Sequence, residues 1–408
     1  MNESIYLDNN ATTQTDPVVA AAMYECLLAG YANPASQHQA GQRAHVVLED
    51  ARERIAAILN VDISSPSSDR LVFTSGGTEA NNFALRGLGK PTELTPRKVI
   101  VSSIEHPSIL TAAQHLPKTD HVRFVPALQN GLIDLERLAD LISDRSECPS
   151  SECPRTLVSM MLGNNETGSL QPIANVNDLL DDFRSENPDE TILFHTDAVQ
   201  VAGKLPVDFR SLGVSAMSVS AHKFHGPCGI GALAIRRGVS ISPLLFGGSQ
   251  QLKLRPGTES VVGAVGMAVA LEKWKSVAES RTAKMLDLRN RFERALDATI
   301  GQILVNGCEA DRLPNTSNVS FLGVDRQALL MALDFAGVHC STGSACESGS
   351  SEPSHVLKAM GLSKEAISSA IRFSLSAFNT SAEIDEAVRR ISKSVKGLRK
   401  GKSGPFSS

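Results

Sequence analysis

Short, almost wholly apolar segments alternate with segments of helical periodicity through the middle of the chain. The apolar segments lie at 71–73, 99–102, 157–161, 192–195, 216–219 and 232–235. Strands that are apolar on both sides are typical of a sheet covered by helices on both faces. Their alternation with helices predicts an α/β domain with a mostly parallel central sheet.

Two helices are expected before this sheet. Asp16 followed by Pro17 is typical of an N-cap with proline at the first helical position, and Gly30 is typical of a helix end. Ser36 is expected to cap the second helix. The apolar residues of that helix recur at helical spacing, and they are Val47, Leu48, Ala51, Ile55, Ile58 and Leu59.

The pattern changes again after about residue 263. A long helical stretch runs through Trp274, the only tryptophan, and a shorter α+β segment follows through 317–321 and 371–375. The change indicates a second, smaller domain. The expected division is a large domain at 17–271, a smaller domain formed by 1–16 and 272–400, and a disordered tail at 401–408.

Composition narrows the class of protein. The 408 residues carry a formal net charge of −4, so neither nucleic acid nor an anionic membrane is expected as a partner. No apolar run approaches the roughly 20 residues of a membrane span. Residues 1–8 show neither a signal-peptide nor a transit-peptide pattern, so we expect a cytoplasmic protein.

Seven cysteines at irregular spacing argue against a disulfide framework and leave room for one reactive thiol. Cys148 and Cys153 stand close together among Ser, Pro and Glu, and a metal or redox pair is one interpretation of them. No further Cys/His cluster completes such a site. A solvated insertion is therefore the better interpretation, and no bound metal is expected.

Lys223 is the most informative residue of the chain. It stands between two histidines in a turn after the apolar stretch 214–219, where lysine is unusual unless it is paired or reactive. One use of such a lysine is to bond the aldehyde of pyridoxal phosphate, and the alternative is an ordinary surface turn. Upstream, the apolar strand before Asp197 ends on an acid, which is the partner that a pyridine nitrogen requires.

Polar groups also follow the other strands. A glycine turn at 74–81 opens a helix and suits a phosphate, and the turn at 163–168 offers amides. His106 follows the strand at 99–102; it is either a helix-cap histidine or an imidazole that stacks on a cofactor ring. Because ligands bind outside the carboxyl ends of parallel strands, these groups are expected at one site.

These motifs resemble those of the cysteine desulfurases of the NifS/IscS type, in the fold-type-I aminotransferase superfamily. The resemblance runs from Tyr6 to about Phe378. The segments that carry it are 6–13, 33–36, 74–81, 105–107, 164–168, 195–200, 220–231, 255–259, 341–353 and 372–374. It implies a fold-type-I pyridoxal 5′-phosphate-dependent transferase, with a large sheet domain and a smaller α+β C-terminal domain.

The resemblance also implies roles for individual residues. Lys223 would carry the cofactor, His106 would stack on the ring and move protons, and Asp197 would pair with the ring nitrogen. Gln200 and Asn165 would contact the ring's phenolic oxygen or the substrate.

The remaining implied contacts concern the phosphate and the substrate carboxylate. Thr258 would reach the phosphate from a second subunit of a homodimer. Arg372 and Asn33 would bind the substrate carboxylate, for which the planar fork of arginine is well suited. The phosphate ligands within the subunit would be Gly77, Thr78, Ser220 and His222.

Cys346 is the candidate nucleophile. Small residues surround it on both sides at 341–351, whereas a packed structural thiol has larger apolar neighbours. A thiol that travels to a substrate sulfur needs a mobile loop. Cys340 is the competitor, and its apolar neighbours indicate a core cysteine at a strand end.

Two residues depart from the family's pattern. Cys228 stands where the family commonly has lysine, which places a second thiol near the predicted site. Glu347 directly follows Cys346, and a carboxylate beside a thiol disfavours the thiolate.

The sequence thus predicts a cysteine desulfurase that converts L-cysteine to L-alanine and passes sulfur, as a persulfide on Cys346, to an acceptor. An iron–sulfur scaffold protein is the expected acceptor, and tRNA thiolation is another destination. The alternatives are a selenocysteine lyase or related β-lyase, an aminotransferase, and an inactive scaffold subunit. The loop thiol weighs against an aminotransferase, and Lys223 and Asp197 weigh against an inactive subunit.

Overall fold

The structure is a computed structural model that describes residues 4–90, 96–144, 146, 155–343 and 352–402. Several residues that the sequence singles out lie outside these ranges. They are Cys148, Cys153, Cys346, Glu347 and residues 403–408 of the C-terminal segment.

Strands and helices alternate through most of the described chain. The strands are β1 (Ile5–Tyr6), β2 (Arg70–Thr74), β3 (Arg97–Ser102), β4 (Asp120–Val125), β5 (Arg155–Met161), β6 (Thr191–Asp197), β7 (Ala216–Ser220), β8 (Gly231–Ile235), β9 (Ile303–Asn306), β10 (Thr316–Phe321), β11 (Val338–His339) and β12 (Ala370–Ser374). The helices are α1 (Pro17–Leu28), α2 (Gln39–Leu59), α3 (Gly77–Gly87), α4 (Pro107–Gln114), α5 (Leu135–Ser143), α6 (Ile173–Glu186), α7 (Val261–Ser276), α8 (Ala278–Ile300), α9 (Arg326–Phe335), α10 (His355–Ala359), α11 (Lys364–Ser368) and α12 (Ser381–Lys402).

Seven strands form the main sheet in the order β2-β8-β7-β6-β5-β3-β4. The pairs from β4 to β7 are parallel, whereas β8 runs antiparallel to both β7 and β2. Six strands therefore point the same way, and the predicted mostly parallel sheet is confirmed. The carboxyl ends of β2, β3, β5, β6 and β7 share one edge of the main sheet. Many of the candidate residues lie at these strand ends or directly after them.

A second part of the structure is built on smaller sheets. β12, β10 and β9 form an antiparallel sheet, and β1 pairs in parallel with β11. Ile5 and Leu7 share a buried core with α8, α9 and α12, apart from the cores on the two faces of the main sheet. The N-terminal residues thus pack with the C-terminal ones.

The helix ends follow the sequence in part. Asp16 caps α1 as expected, because its Oδ1 accepts from the N–H of Val18 at 3.0 Å. The expectation that Ser36 caps α2 is wrong by two residues. His38 is the N-cap, and its Nδ1 accepts from the N–H of Gly41 at 3.1 Å. Among the described residues, no helix is both long and apolar enough to cross a membrane.

Candidate active site

A cleft of about 490 Å³ opens at the carboxyl edge of the main sheet and continues into a cavity of about 190 Å³. Residues common to both are Ala11, His106, Asn165, Gln200 and Lys223. The predicted site residues that line one or the other are Gly77, Thr78, His106, Asn165, Asp197, Gln200, Ser220, His222, Lys223 and Arg372. Segments far apart in the sequence thus bring ten candidate residues to one place.

Lys223 ends a single helical turn that directly follows β7. Its Nζ donates to the backbone carbonyls of Asn10 at 2.6 Å and Ala11 at 2.8 Å. The turn is compact, because the N–H of Gly226 donates back to the carbonyl of Ala221 at 3.0 Å. This folding places a primary amine at the junction of the cleft and the cavity.

Asp197 is the last residue of β6, and it is buried in the cavity. Its Oδ1 accepts from the N–H of Val199 at 2.9 Å, and its Oδ2 accepts from Nδ2 of Asn81 at 2.6 Å. Burial raises the pKa of Asp197, while these two donors and Lys223 oppose that rise. A cationic or protonated ring nitrogen would stabilise the carboxylate further.

His106 is both an N-cap and a residue that lines the cavity. Its role as a helix cap is observed, and stacking on a cofactor ring stays a prediction. Its Nδ1 accepts from the backbone N–H of Ser108 at 3.1 Å and lies 2.8 Å from the Ser108 hydroxyl. The ring hydrogen is therefore on Nε2. Burial, together with Lys223, His355 and Arg372, lowers the pKa of His106 to about 4, so the ring is neutral at pH 7.

Asn81 connects these two groups, because its Nδ2 donates both to Asp197 and to the hydroxyl of Ser108, at 2.9 Å in the second case. The resulting chain runs from Asp197 through Asn81 and Ser108 to His106. It fixes the carboxylate and the imidazole relative to each other across the cavity. Asn81 belongs to the glycine-turn motif and lies one helical turn after Gly77, but the local sequence pattern does not predict its contacts.

The start of α3 is suited to a small anion. Its N-cap is Gly76, and no side chain in the described part of the chain caps the first N–H groups of the helix. The hydroxyl of Ser220 is buried beside it without a hydrogen-bond partner among the described residues. Gly77 lines the cavity closely, because a Cβ there would lie 2.9 Å from Val199.

His222 and Glu79 complete the surroundings of this helix start. Nδ1 of His222 lies 3.1 Å from the Thr12 hydroxyl, and burial with the nearby Lys223 and Lys204 lowers the pKa of His222 to about 4. Glu79 stands in the first turn of α3, but Arg255 pairs with it at 2.8 Å. The negative charge of Glu79 is thereby balanced where an anion would bind.

Arg372 lies in the middle of β12, only 2% exposed, and lines the cleft. Its Nη1 donates to the carbonyl of Asn165 at 3.2 Å, and its Nη2 pairs with Asp8. The side-chain oxygen of Asn165 and Nε of Arg372 have no hydrogen-bond partner among the described residues. Arg372 therefore forms an internal ion pair and also lines the cleft.

The chain borders the cleft on both sides of the segment 344–351, because Gly343 and Glu352 both line it. Gly343 has φ +97°, and a Cβ there would lie 2.5 Å from Oε2 of buried Glu166. The same Oε2 accepts from the hydroxyl of Ser354 at 2.5 Å. Glu166 thus binds Ser354 and leaves no room for a side chain at Gly343.

The other cysteines of interest differ from one another in environment. Cys340 follows β11 and packs against the second core, and burial raises the pKa of its thiol. Cys228 is exposed, with Sγ 4.0 Å from the hydroxyl of Thr12. The described residues include no group of three or more His, Cys, Asp or Glu side chains that could hold a metal ion.

Two candidate residues do not line the cleft or the cavity of their own subunit. Asn33 lies in the turn before α2, where its Oδ1 accepts from the N–H of Ala35 at 2.9 Å. Thr258 is exposed in the loop between β8 and α7. Asn10 and Lys204 both bind Gln200, which lines the cleft, and local sequence patterns predict neither contact.

Comparison with known proteins gives a consistent result. The aminotransferase class-V family matches residues 5–387. A cysteine desulfurase of Sinorhizobium fredii is 39% identical over 98% of each chain. Cysteine desulfurase IscS of Dictyoglomus turgidum is 36% identical over 98% of this chain and 96% of its own. The solved structure of a NifS-like protein from Rickettsia africae superposes with a TM-score of 0.84 at 30% identity, covering 97% of this chain and all of that one.

Proposed function

Because this chain belongs to the aminotransferase class-V family, among its cysteine desulfurases, we propose that it converts L-cysteine to L-alanine with pyridoxal 5′-phosphate as cofactor. The sulfur leaves as a persulfide on Cys346. One observation carries the proposal beyond the relatives' names. The same cleft contains the amine of Lys223 and the guanidinium of Arg372, and it borders both ends of the segment with Cys346.

The cavity fits the cofactor. Among the described residues, nothing pairs with the buried hydroxyl of Ser220 and no side chain caps the start of α3, so both can bind a phosphate. Asp197 would bind the ring nitrogen, His106 would lie over the ring, and Lys223 would hold the aldehyde. Gly77, Thr78, His222, Asn165 and Gln200 also line the cavity. The first three would bind the phosphate, and Asn165 and Gln200 would contact the ring oxygen or the substrate.

When bound, pyridoxal phosphate accepts into its ring the electron pair released at the α-carbon of an amino acid. Arg372 is suited to bind the substrate carboxylate, and Asn165 lies beside it. The amine of Lys223, once free, is suited to take the α-proton at Nζ. His106, neutral with its hydrogen on Nε2, is suited to exchange protons with the substrate.

Sulfur transfer requires the thiolate of Cys346. Its Sγ attacks the substrate sulfur, an S–S bond forms, and the Cβ–S bond of the substrate breaks. The electron pair stays with Cβ, which takes a proton and becomes the methyl group of alanine. The terminal sulfur then passes to an acceptor, for which we propose an iron–sulfur scaffold protein.

The same proposal includes a homodimer. α1 exposes Tyr24, Leu27 and Leu28, and the loop before Thr258 exposes Phe246 at 83%. Large apolar side chains at a surface support an interface. Thr258 would then complete the phosphate site of the neighbouring subunit.

The proposal also covers the domain boundaries and the cellular location of the protein. Residues 17–271 would form the cofactor-binding domain, and residues 1–16 with 272–400 the smaller one. The separate buried core shared by Ile5, Leu7 and the C-terminal helices supports this division. Irregularly spaced cysteines without a disulfide framework support a cytoplasmic location.

The reaction products test the function. The protein loaded with pyridoxal phosphate is mixed with L-cysteine and dithiothreitol, and alanine and sulfide are measured. Equal amounts of both are expected, with no 2-oxo acid. Lys223→Ala is the control, and it should form neither product and should not be labelled with cofactor by borohydride. Formation of a 2-oxo acid without sulfide would replace the proposal with an aminotransferase.

A further inference from the structure

Lys204 is a buried lysine to which the proposed mechanism gives no part. It follows β6, is 4% exposed, and forms no ion pair with any described carboxylate. Its Nζ donates to Oδ1 of Asn10 at 3.2 Å, to the carbonyl of Gln200 at 3.0 Å and to Oε1 of Gln200 at 2.7 Å. Three acceptors match the three N–H donors of an ammonium group.

Such a lysine is costly for the fold alone. Burial, together with the nearby cations Lys223 and Arg372, holds the pKa of Lys204 well below its usual range. A buried charge without an opposite charge destabilises a protein, and an apolar residue of similar size would avoid that cost. The contacts of Lys204 therefore suggest a use at the site.

Lys204 determines which way two amide groups face. Its Nζ donates to Oε1 of Gln200, so Nε2 of the same amide faces away from Lys204, on the side of Asn10. There Nε2 donates to the carbonyl of Asn10 at 3.0 Å. In the same way Oδ1 of Asn10 accepts from Lys204 and Asn315, which leaves its Nδ2 to donate to the carbonyl of Asn165 at 3.1 Å.

The side chains of Asn10 and Gln200 belong to the same hydrogen-bond network as Lys223. The carbonyl of Asn10 accepts from Nζ of Lys223 at 2.6 Å as well as from Gln200. Both Asn10 and Gln200 line the cleft. Reversal of the Gln200 amide would place its oxygen against the Asn10 carbonyl, so two acceptors would face each other.

We propose that Lys204 is a positioning residue, whose amine fixes the Gln200 amide so that it presents an N–H donor to the cofactor. The proposal rests on the proposed function, because it assumes that the ring oxygen of pyridoxal phosphate lies near Gln200. A donor at that oxygen stabilises its deprotonated form. Loss of the donor makes the oxygen more basic, which changes the cofactor's visible absorption.

The experiment uses Lys204→Met, which keeps most of the length of the side chain and removes its donors. The full-length protein is loaded with pyridoxal phosphate, and its visible absorption is titrated with pH. The midpoint of the absorption change is expected to rise by about 0.5 to 1 unit. The dissociation constant for the cofactor is expected to rise about 3- to 10-fold. Lys223, Asp197, His106 and His222 also titrate nearby, but they are the same in both proteins.

A double-mutant cycle with Gln200→Ala separates orientation from charge. Removal of the Lys204 charge acts through space, so its effect would persist without the Gln200 side chain. An orientation effect requires that side chain and disappears in the double variant. A further midpoint shift on adding Lys204→Met to Gln200→Ala would therefore overturn the proposal.

Lys98→Met is the matched control. Lys98 is another buried lysine, and it donates to the carbonyls of Leu141 and Ile142 near the opposite edge of the main sheet. Its loss should lower stability and leave the absorption midpoint unchanged. Lys204→Leu, which is smaller and also has no hydrogen-bond donor, replaces Lys204→Met if the latter does not fold. A wild-type midpoint in the folded Lys204 variant overturns the proposal, whereas failure of the wild-type protein to bind pyridoxal phosphate overturns the proposed function instead.

Discussion

Nη2 of Arg372 lies 2.6 Å from Oδ1 of Asp8, so the arginine that faces the cleft is already paired with a carboxylate. Its Nη1 is shared between the carbonyls of Asn165 and Gly343, and Nε has no partner among the described residues. Asp8 holds the guanidinium in place. A substrate carboxylate would then meet an arginine whose orientation is fixed and whose donors are not all used.

Arg372→Lys is expected to raise the KM for cysteine about 10-fold or more, because lysine keeps the charge but cannot make two parallel hydrogen bonds to a carboxylate. The protein should still bind the cofactor. Steady-state kinetics with cysteine measures the change. The matched control is Arg312→Lys, since Arg312 binds Glu293 through two hydrogen bonds of 2.8 and 3.0 Å outside the cleft. Equal KM values for both variants and the wild type would contradict the role of Arg372.

The sequence predicts the sheet and the residues at its edge because many of the candidates stand at the end of an apolar strand or directly after it. Lys223 after β7 and Asp197 at the end of β6 are examples, and parallel pairing brings such ends together. The hydrogen bonds that connect the site residues, in contrast, join residues that are far apart in the sequence. Asn81 reaches Asp197 across 116 positions of sequence, and Lys204 reaches Asn10 across 194.

Contacts between distant side chains depend on packing, which local patterns do not determine. Ser36 and His38 illustrate the same limit at a helix start, because both side chains can accept from a backbone N–H and only the turn after Asn33 selects His38. Asn33 itself was placed from resemblance alone. Its position outside the cleft of its own subunit leaves its role as a prediction.

His195 makes stability depend on pH. It is fully buried between Ser159 and Ser218, each 2.9 Å from a ring nitrogen, and burial lowers its pKa to about 3. The unfolded chain binds a proton near pH 6.5, which the folded protein does not take up until about pH 3. Stability is therefore lost as the pH falls through that range, by up to about 1.4 kcal/mol per pH unit from this residue.

His195→Asn should flatten the dependence of stability on pH between 6.5 and 4. Urea unfolding at several pH values measures the slope for each protein. His115→Asn is the control, because His115 is exposed and its replacement should leave the slope unchanged. His106 and His222 keep part of the slope in both variants, because burial also lowers their pKa values. A slope in His195→Asn as steep as that of the wild type would contradict the assignment.

Thr258 should act in the site of the neighbouring subunit. It is exposed and follows Gly257, whose φ of +107° favours glycine. The same loop is fixed beside β2, because the side chain of Gln251 accepts from the N–H of Phe73 at 2.6 Å and donates to its carbonyl at 2.9 Å. A stiff loop with an exposed hydroxyl is suited to reach another copy of the chain.

Mixing two inactive variants tests this arrangement. Thr258→Ala is expected to weaken cofactor binding, and Lys223→Ala abolishes the reaction. In a mixed dimer one site has both Lys223 and Thr258 intact. Random mixing in equal amounts should therefore recover about a quarter of the wild-type activity at limiting cofactor. No recovery, or a cofactor-loaded monomer by light scattering at micromolar concentration, would exclude a cross-subunit role.

Replacement of Glu347 tests the role of the adjacent Cys346 thiol. A carboxylate next to Cys346 stabilises the protonated thiol and lowers the fraction of thiolate. Glu347→Gln is therefore expected to raise the rate of sulfide release at pH values below the pKa of the thiol and to matter less above it. A pH–rate profile of both proteins measures the difference. Identical profiles would show that the charge of Glu347 does not reach the nucleophile.

Cys346→Ser should block sulfur transfer and leave the earlier steps of the reaction intact. The described residues on either side of the segment 344–351, Gly343 and Glu352, both line the cleft, so we expect the thiol of Cys346 to reach the substrate. The variant should fold, bind pyridoxal phosphate and change its absorption with cysteine, yet lose sulfide release. Mass spectrometry of the wild-type protein after mixing with cysteine should find one extra sulfur on Cys346. An extra sulfur on Cys340 or Cys228 would move the nucleophile, and full sulfide release by Cys346→Ser would favour a lyase that needs no protein thiol.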